Sequence, residues 1–178
     1  ELFLSLTSSI SNVGFSLNNS SNNLSFVFLI LVIIGGSFFS TSSGIRFLKI
    51  YSLFKYSINE ILSYSRPKNI YINKHLFSKD TFKLDEIYKY FLSVIVFIIS
   101  LLILTFLLTL SGIDFESSFK LSILTIMNTV NSSMFGLADF SFYDLHFITK
   151  YYLIFFMIIG RLELLTLLII CKKFLFKN

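Results

Sequence analysis

Arg161 and Glu163 stand two positions apart in Met157-Ile158-Ile159-Gly160-Arg161-Leu162-Glu163, inside a run from Tyr151 to Cys171 that otherwise carries no charge. An arginine at hydrocarbon depth costs about 2.5–3.5 kcal/mol on insertion scales, so Arg161 must face protein or water. Its permanently charged fork suits the carbonyls or hydroxyls of a neighbouring loop, and its charge raises a barrier to passing cations. Glu163 lies about 200° further round a helix, so the two do not pair on one face. Each is expected to find its partner on another helix, as part of a pore or as a structural intramembrane ion pair.

Two uncharged stretches offer a different chemistry. In Asn12-Val13-Gly14-Phe15 the glycine is free to take a left-handed conformation, which lets successive carbonyls point one way toward an ion; a simple turn is the plainer alternative. Gly35-Gly36-Ser37-Phe38-Phe39-Ser40-Thr41-Ser42-Ser43-Gly44 combines residues that weaken a helix with hydroxyls that satisfy freed backbone groups. It reads as an intramembrane loop able to gate a path, or else as a small-residue helix-packing surface. The single Cys171 and the separated His75 and His146 give no metal-ligand or thiol chemistry, and neither His146 nor Glu163 has the company a hydrolytic centre needs. An enzyme is not expected.

The elements that must hold these residues are helices in a bilayer. Of 178 residues 54% are hydrophobic and 14% charged, with a mean hydropathy of +0.78, too apolar for an ordinary soluble domain. Long apolar stretches run from about Leu24 to Phe39, Tyr90 to Gly112 and Tyr151 to Cys171, and about 20 residues span a bilayer core, so three crossings are the minimum expected. Two shorter stretches, Leu2 to Ser11 and Phe115 to Asn128, reach about halfway, the length of a re-entrant pore helix or of a surface amphipathic segment. Each leads into polar, irregular sequence.

Charge sets the expected orientation. Nine Lys/Arg against four Asp/Glu lie between Arg46 and Lys89, whereas Asp114 to Lys150 holds Lys120 and Lys150 against Asp114, Glu116, Asp139 and Asp144. The positive-inside rule places the first of these and the C-terminus in the cytoplasm and the second outside, where an acidic mouth suits a cation path. The net charge of +5 is accounted for by this orientation, so nucleic acid is not an expected partner. An internal repeat is also legible: "VIIGG" (Val32 to Gly36) and "MIIGR" (Met157 to Arg161) hold the same place in two units, each reading short helix, polar loop, long helix.

These features are carried by "SNVGFSL" (Ser11 to Leu17), "GGSFFSTSSGIRFLKIYSLFK" (Gly35 to Lys55), "SGIDFESSF" (Ser111 to Phe119) and "MIIGRLELLTLLI" (Met157 to Ile169). Together they resemble the Trk/Ktr/HKT superfamily of potassium transporters, most closely the C-terminal half of its TrkH members. The resemblance implies an all-α polytopic membrane protein of helix, re-entrant pore helix and helix units around a central ion pathway, this chain being a fragment that lacks earlier repeats. Residues 1–56 would form the third pore repeat, 57–86 a cytoplasmic linker and 87–178 the fourth. It implies a selectivity filter of backbone carbonyls from Asn12, Val13 and Gly14 and from Thr129, Val130 and Asn131. Gly35, Gly36, Ser37, Ser40, Thr41, Ser42, Ser43 and Gly44 would form the gating loop, and Arg161 the barrier below the filter. It further implies K+ as the transported ion with no cofactor and no bound metal, uptake that is passive or ion-coupled (symport), a homodimer in the bacterial inner membrane, and an RCK-type nucleotide-binding, TrkA-like regulatory subunit. Where the family reads N-N-V-G-P-G, this chain has Asn128-Thr129-Val130-Asn131-Ser132-Ser133. That motivates a second expectation of a poorly selective K/Na pathway, beside a third, a non-conducting membrane scaffold.

Overall fold

A computed structural model of the chain describes residues 2–15, 24–34, 47–64, 84–129, 133–137, 141–143, 145–161 and 173. The described residues fold as helices and connecting turns: α1 (Leu2–Ile10), α2 (Ser25–Ile34), α3 (Phe47–Ser63), α4 (Leu84–Leu110), α5 (Phe115–Met127), a 3-10 turn (Ser133–Phe135) and α6 (Phe147–Arg161). The two half-length helices expected from sequence are α1 and α5, within one residue of their expected bounds. Asp114 precedes α5 and Glu116 lies in its first turn, so its N-terminal end carries the sign of charge the helix dipole favours.

Among the described residues one helix, α4, is long and apolar enough to cross a membrane, over Glu86–Leu110. At 27 residues it is about 40 Å long, ample for a core of about 30 Å. The other two expected crossings begin as α2 and α6; α2 is described as far as Ile34 and α6 as far as Arg161. α6 starts four residues before its apolar run. There Thr149 N–H donates to the His146 carbonyl at 3.0 Å and Ile148 N–H to His146 Nδ1 at 3.4 Å, so the histidine closes a helix end.

The core forms around α5, which packs on α2, α4 and α6, while α2 also packs on α1 and on the 3-10 turn. Leu104 and Leu108 of α4, Leu124 and Ile126 of α5, Val32 of α2, and Met134 and Phe135 of the turn are all buried in it. The Ser122 hydroxyl donates to the Ser118 carbonyl one helical turn back at 2.7 Å, and the Thr105 hydroxyl shares its one proton between the Leu101 carbonyl at 2.8 Å and, across the α4–α5 seam, Ser122 Oγ at 3.1 Å. Hydroxyls satisfied in this way cost little inside an apolar layer and tie helices together.

Candidate functional site

Polar backbone enters the apolar core where α1 and α5 end, and the two ends are built alike. After α1, Asn12 stands at φ 57° and Gly14 at φ 77°. Asn12 N–H donates to the Ser9 carbonyl at 3.2 Å, and Val13 and Gly14 N–H both donate to the Ser8 carbonyl, at 3.0 and 3.4 Å. Phe15 N–H donates to Ser8 Oγ at 2.7 Å, which folds the loop back on its helix. After α5, Asn128 stands at φ 53°, ψ 35°; its N–H donates to the Thr125 carbonyl at 3.2 Å, and Thr129 N–H donates to the Leu124 carbonyl at 3.0 Å. Both are left-handed helix C-caps, a conformation that asparagine tolerates better than other side-chain-bearing residues.

The loop after α1 spends its N–H groups on the helix. No hydrogen bond among the described residues ends on the carbonyl oxygens of Asn12, Val13 or Gly14. Carbonyls left over in this way are the raw material of a cation site.

Each capping asparagine also reaches a second helix. Asn12, its amide turned to satisfy both neighbours, donates from Nδ2 to the Val32 carbonyl of α2 at 3.1 Å and to the Ser9 carbonyl at 3.2 Å. Asn128 donates from Nδ2 to the Met157 carbonyl of α6 at 3.0 Å. Val32 and Met157 are the first residues of the two repeated quintets, so the repeat legible in sequence is also a repeated contact in space. Three residues beyond Met157, Gly160 lies against the last turn of α5; a Cβ there would overlap the Ile126 carbonyl oxygen, with the Ile126 carbonyl carbon at 3.0 Å. Only glycine allows this approach.

Of the residues expected to act, Asn12, Gly14 and Thr129 are buried, Val13 is 53% exposed, and Arg161 is exposed at the end of α6 immediately after Gly160. Val130, Asn131, Glu163 and the whole run Gly35 to Gly44 lie outside the described residues. The caps pair Asn12 with Asn128, so Thr129 sits one cap position later than Asn12 and opposite Val13. Sequence reasoning passed over Asn128, although its place after a half-length helix, like that of Asn12, was visible.

Thr129 carries a second distinction. Its hydroxyl is buried and without a hydrogen-bond partner among the described residues, and it lines a cavity of ≈ 560 Å³ with Thr125, Leu153, Met157 and Lys150. Lys150 Nζ at that rim donates to the Tyr143 carbonyl at 3.1 Å. At the N-terminal end of α5, Lys120 Nζ donates to Glu116 Oε1 at 2.5 Å, and this bond and its charge hold the Glu116 carboxyl below the usual range.

Comparison with known proteins accords with this geometry. The family described as TrkH, cation transport protein, matches residues 1–176. The crystal structure of the potassium transporter TrkH from Vibrio parahaemolyticus superposes with a TM-score of 0.76 at 23% identity, covering 91% of this chain and 34% of that one. The chain therefore spans about a third of that transporter's length. No curated protein matches the chain.

Proposed function

We propose, on the premise that this chain belongs to the TrkH family of cation transport proteins, that it supplies two pore units of a potassium uptake pathway. The family is one of membrane transporters rather than enzymes. In this reading the carbonyls of Asn12, Val13 and Gly14, and those of Thr129, Val130 and Asn131, line the ion path. Gly35 to Gly44 form its gate, and Arg161 is the charge barrier beneath. The pathway lies in the plasma membrane with Arg46 to Lys89 and the C-terminus cytoplasmic, and it works as a homodimer governed by an RCK-type nucleotide-binding subunit.

The observation that carries the reading is the pair of caps. Two half-length helices end at asparagines in left-handed conformation, one buried and one half-buried, and the loop after the first turns its N–H groups back while no hydrogen bond among the described residues ends on its carbonyls. Non-helical backbone at such depth is tolerated where it is buried in protein or lines a wet path. Arg161 directly follows Gly160, the glycine whose backbone lies against the end of α5, and this adjacency along the helix is what supports a barrier role for it.

Rubidium and sodium uptake by the full-length protein, in cells without their own potassium uptake, tests it against a Gly14→Asp variant. Gly14 needs φ of 77°, and a carboxylate there would both strain the turn and hold the cation. Rubidium uptake lost in the variant at equal expression is the expected result. Uptake by neither protein, with or without a regulatory subunit, would turn the reading to a non-conducting scaffold.

A further inference from the structure

We infer that Asn12 and Asn128 are positioning residues that fix the two ion-path loops to the helices following them, so that movement of those helices is felt as a change of filter shape. The inference rests on the transport reading above. It starts from an excess of chemistry over need. A left-handed cap asks only for a residue that accepts positive φ, and glycine meets that demand with no side chain. Here both positions carry an amide, and both amides cross to the next helix and donate to the carbonyl of the equivalent residue, Val32 at 3.1 Å and Met157 at 3.0 Å.

Those two carbonyls are not arbitrary places on α2 and α6. Each lies three residues before the quintet glycine, Gly35 in one unit and Gly160 in the other. In the second unit Gly160 touches the Ile126 carbonyl, two residues before Asn128. The end of α5 is thus held to α6 at two points, a close backbone contact and an amide bond, on either side of one helical turn. In the first unit the same amide bond holds the end of α1 to α2, and the chain then enters Gly35 to Gly44, the stretch proposed as the gate. A shift of either helix along its axis would pull the asparagine with it. Because Val13 and Thr129 are the next residues in each loop, their carbonyls would turn first.

Glycine at each position separates positioning from capping, since Asn12→Gly and Asn128→Gly keep the left-handed cap and delete the amide side chain with its bond to the next helix, for Asn12 together with its bond to the Ser9 carbonyl. In the full-length protein both variants are expected to reach the membrane in native amounts while the rubidium-to-sodium uptake ratio falls about three- to tenfold, the scale of one intramolecular hydrogen bond. The thermal midpoint of each purified variant should also fall. A native uptake ratio in both glycine variants overturns the inference, whatever the midpoint does. If the unsubstituted protein carries neither ion, the transport reading is what has failed; the midpoints then decide, a fall leaving the asparagines as anchors of loop to helix and no change removing them altogether.

Discussion

α1 and α5 carry the same cap in opposite surroundings. α5 is buried at every position from Leu121 to Met127, whereas α1 buries Ser9 alone and leaves Leu2, Phe3 and Leu4 more than half exposed. α5 has α2, α4 and α6 as described neighbours and α1 has α2. The cap is nevertheless the same in φ, in its two closing bonds and in its amide donor. Burial therefore does not make the cap. A short helix, an asparagine that accepts positive φ and a carbonyl on the next helix suffice, and the burial of the helix does not even set that of its cap, since Asn12 is buried and Asn128 half-buried.

The first way to break the equivalence is at the quintet glycines. Gly160→Ala places a methyl group on the Ile126 carbonyl, where no flexible side chain can yield, so a loss of folded full-length protein, or at least the 1–3 kcal/mol or more typical of overpacking, is expected. Gly35→Ala should do comparable harm if the two units pack alike. Size-exclusion profile and thermal midpoint compare the pair, and an innocuous Gly35→Ala would show that the units diverge just where the proposed gate begins.

The capping asparagines come next. Asn128→Ala loses both the amide bond and the tolerance of positive φ, together about 2–3 kcal/mol. Asn12→Ala should cost at least as much although α1 is the more exposed helix, because Asn12 and Val32 are buried whereas Met157 is exposed, so an orphaned Val32 carbonyl finds water less readily. A smaller loss for Asn12→Ala in denaturant unfolding would mean that burial matters less than this comparison holds.

Thr129 and Val13 sharpen the same contrast at a smaller scale. Thr129→Val removes a buried hydroxyl without a partner among the described residues and should be neutral or stabilising by up to about 1 kcal/mol, while the reciprocal Val13→Thr, at an exposed position, should change stability by less than about 0.5 kcal/mol. A clear loss of stability in Thr129→Val would reveal a partner for that hydroxyl.

The smallest effect concerns the N-terminal end of α5, which has an ion pair that α1, with no acidic or basic residue in its end turns, does not. The Glu116 carboxyl is held below its ordinary value by the Lys120 hydrogen bond first and its charge second. Its contribution is therefore present above the unfolded value and is lost as pH falls through the lowered folded value. Since Glu116 is exposed, only a slight acid-side loss is expected. Carboxyl NMR titration should find the Glu116 midpoint returning upward in Lys120→Ala.

Much of this was legible before any coordinates. Apolar run length distinguished α4 from the half-length α1 and α5, because backbone in hydrocarbon must pair within a helix and length alone then says what spans. The repeated quintet marked the two units, and glycine at position 14 announced the positive φ it adopts. The sequence also showed that Arg161 needs protein or water beside it. What it could not show is which atoms meet across helices. That Asn12 reaches Val32 and Asn128 reaches Met157, that Gly160 abuts Ile126 and that the Thr129 hydroxyl has no partner among the described residues depend on how α2 and α6 lie against α1 and α5. That arrangement is set by the summed packing of residues far apart in the chain, which a local pattern of residue types does not encode.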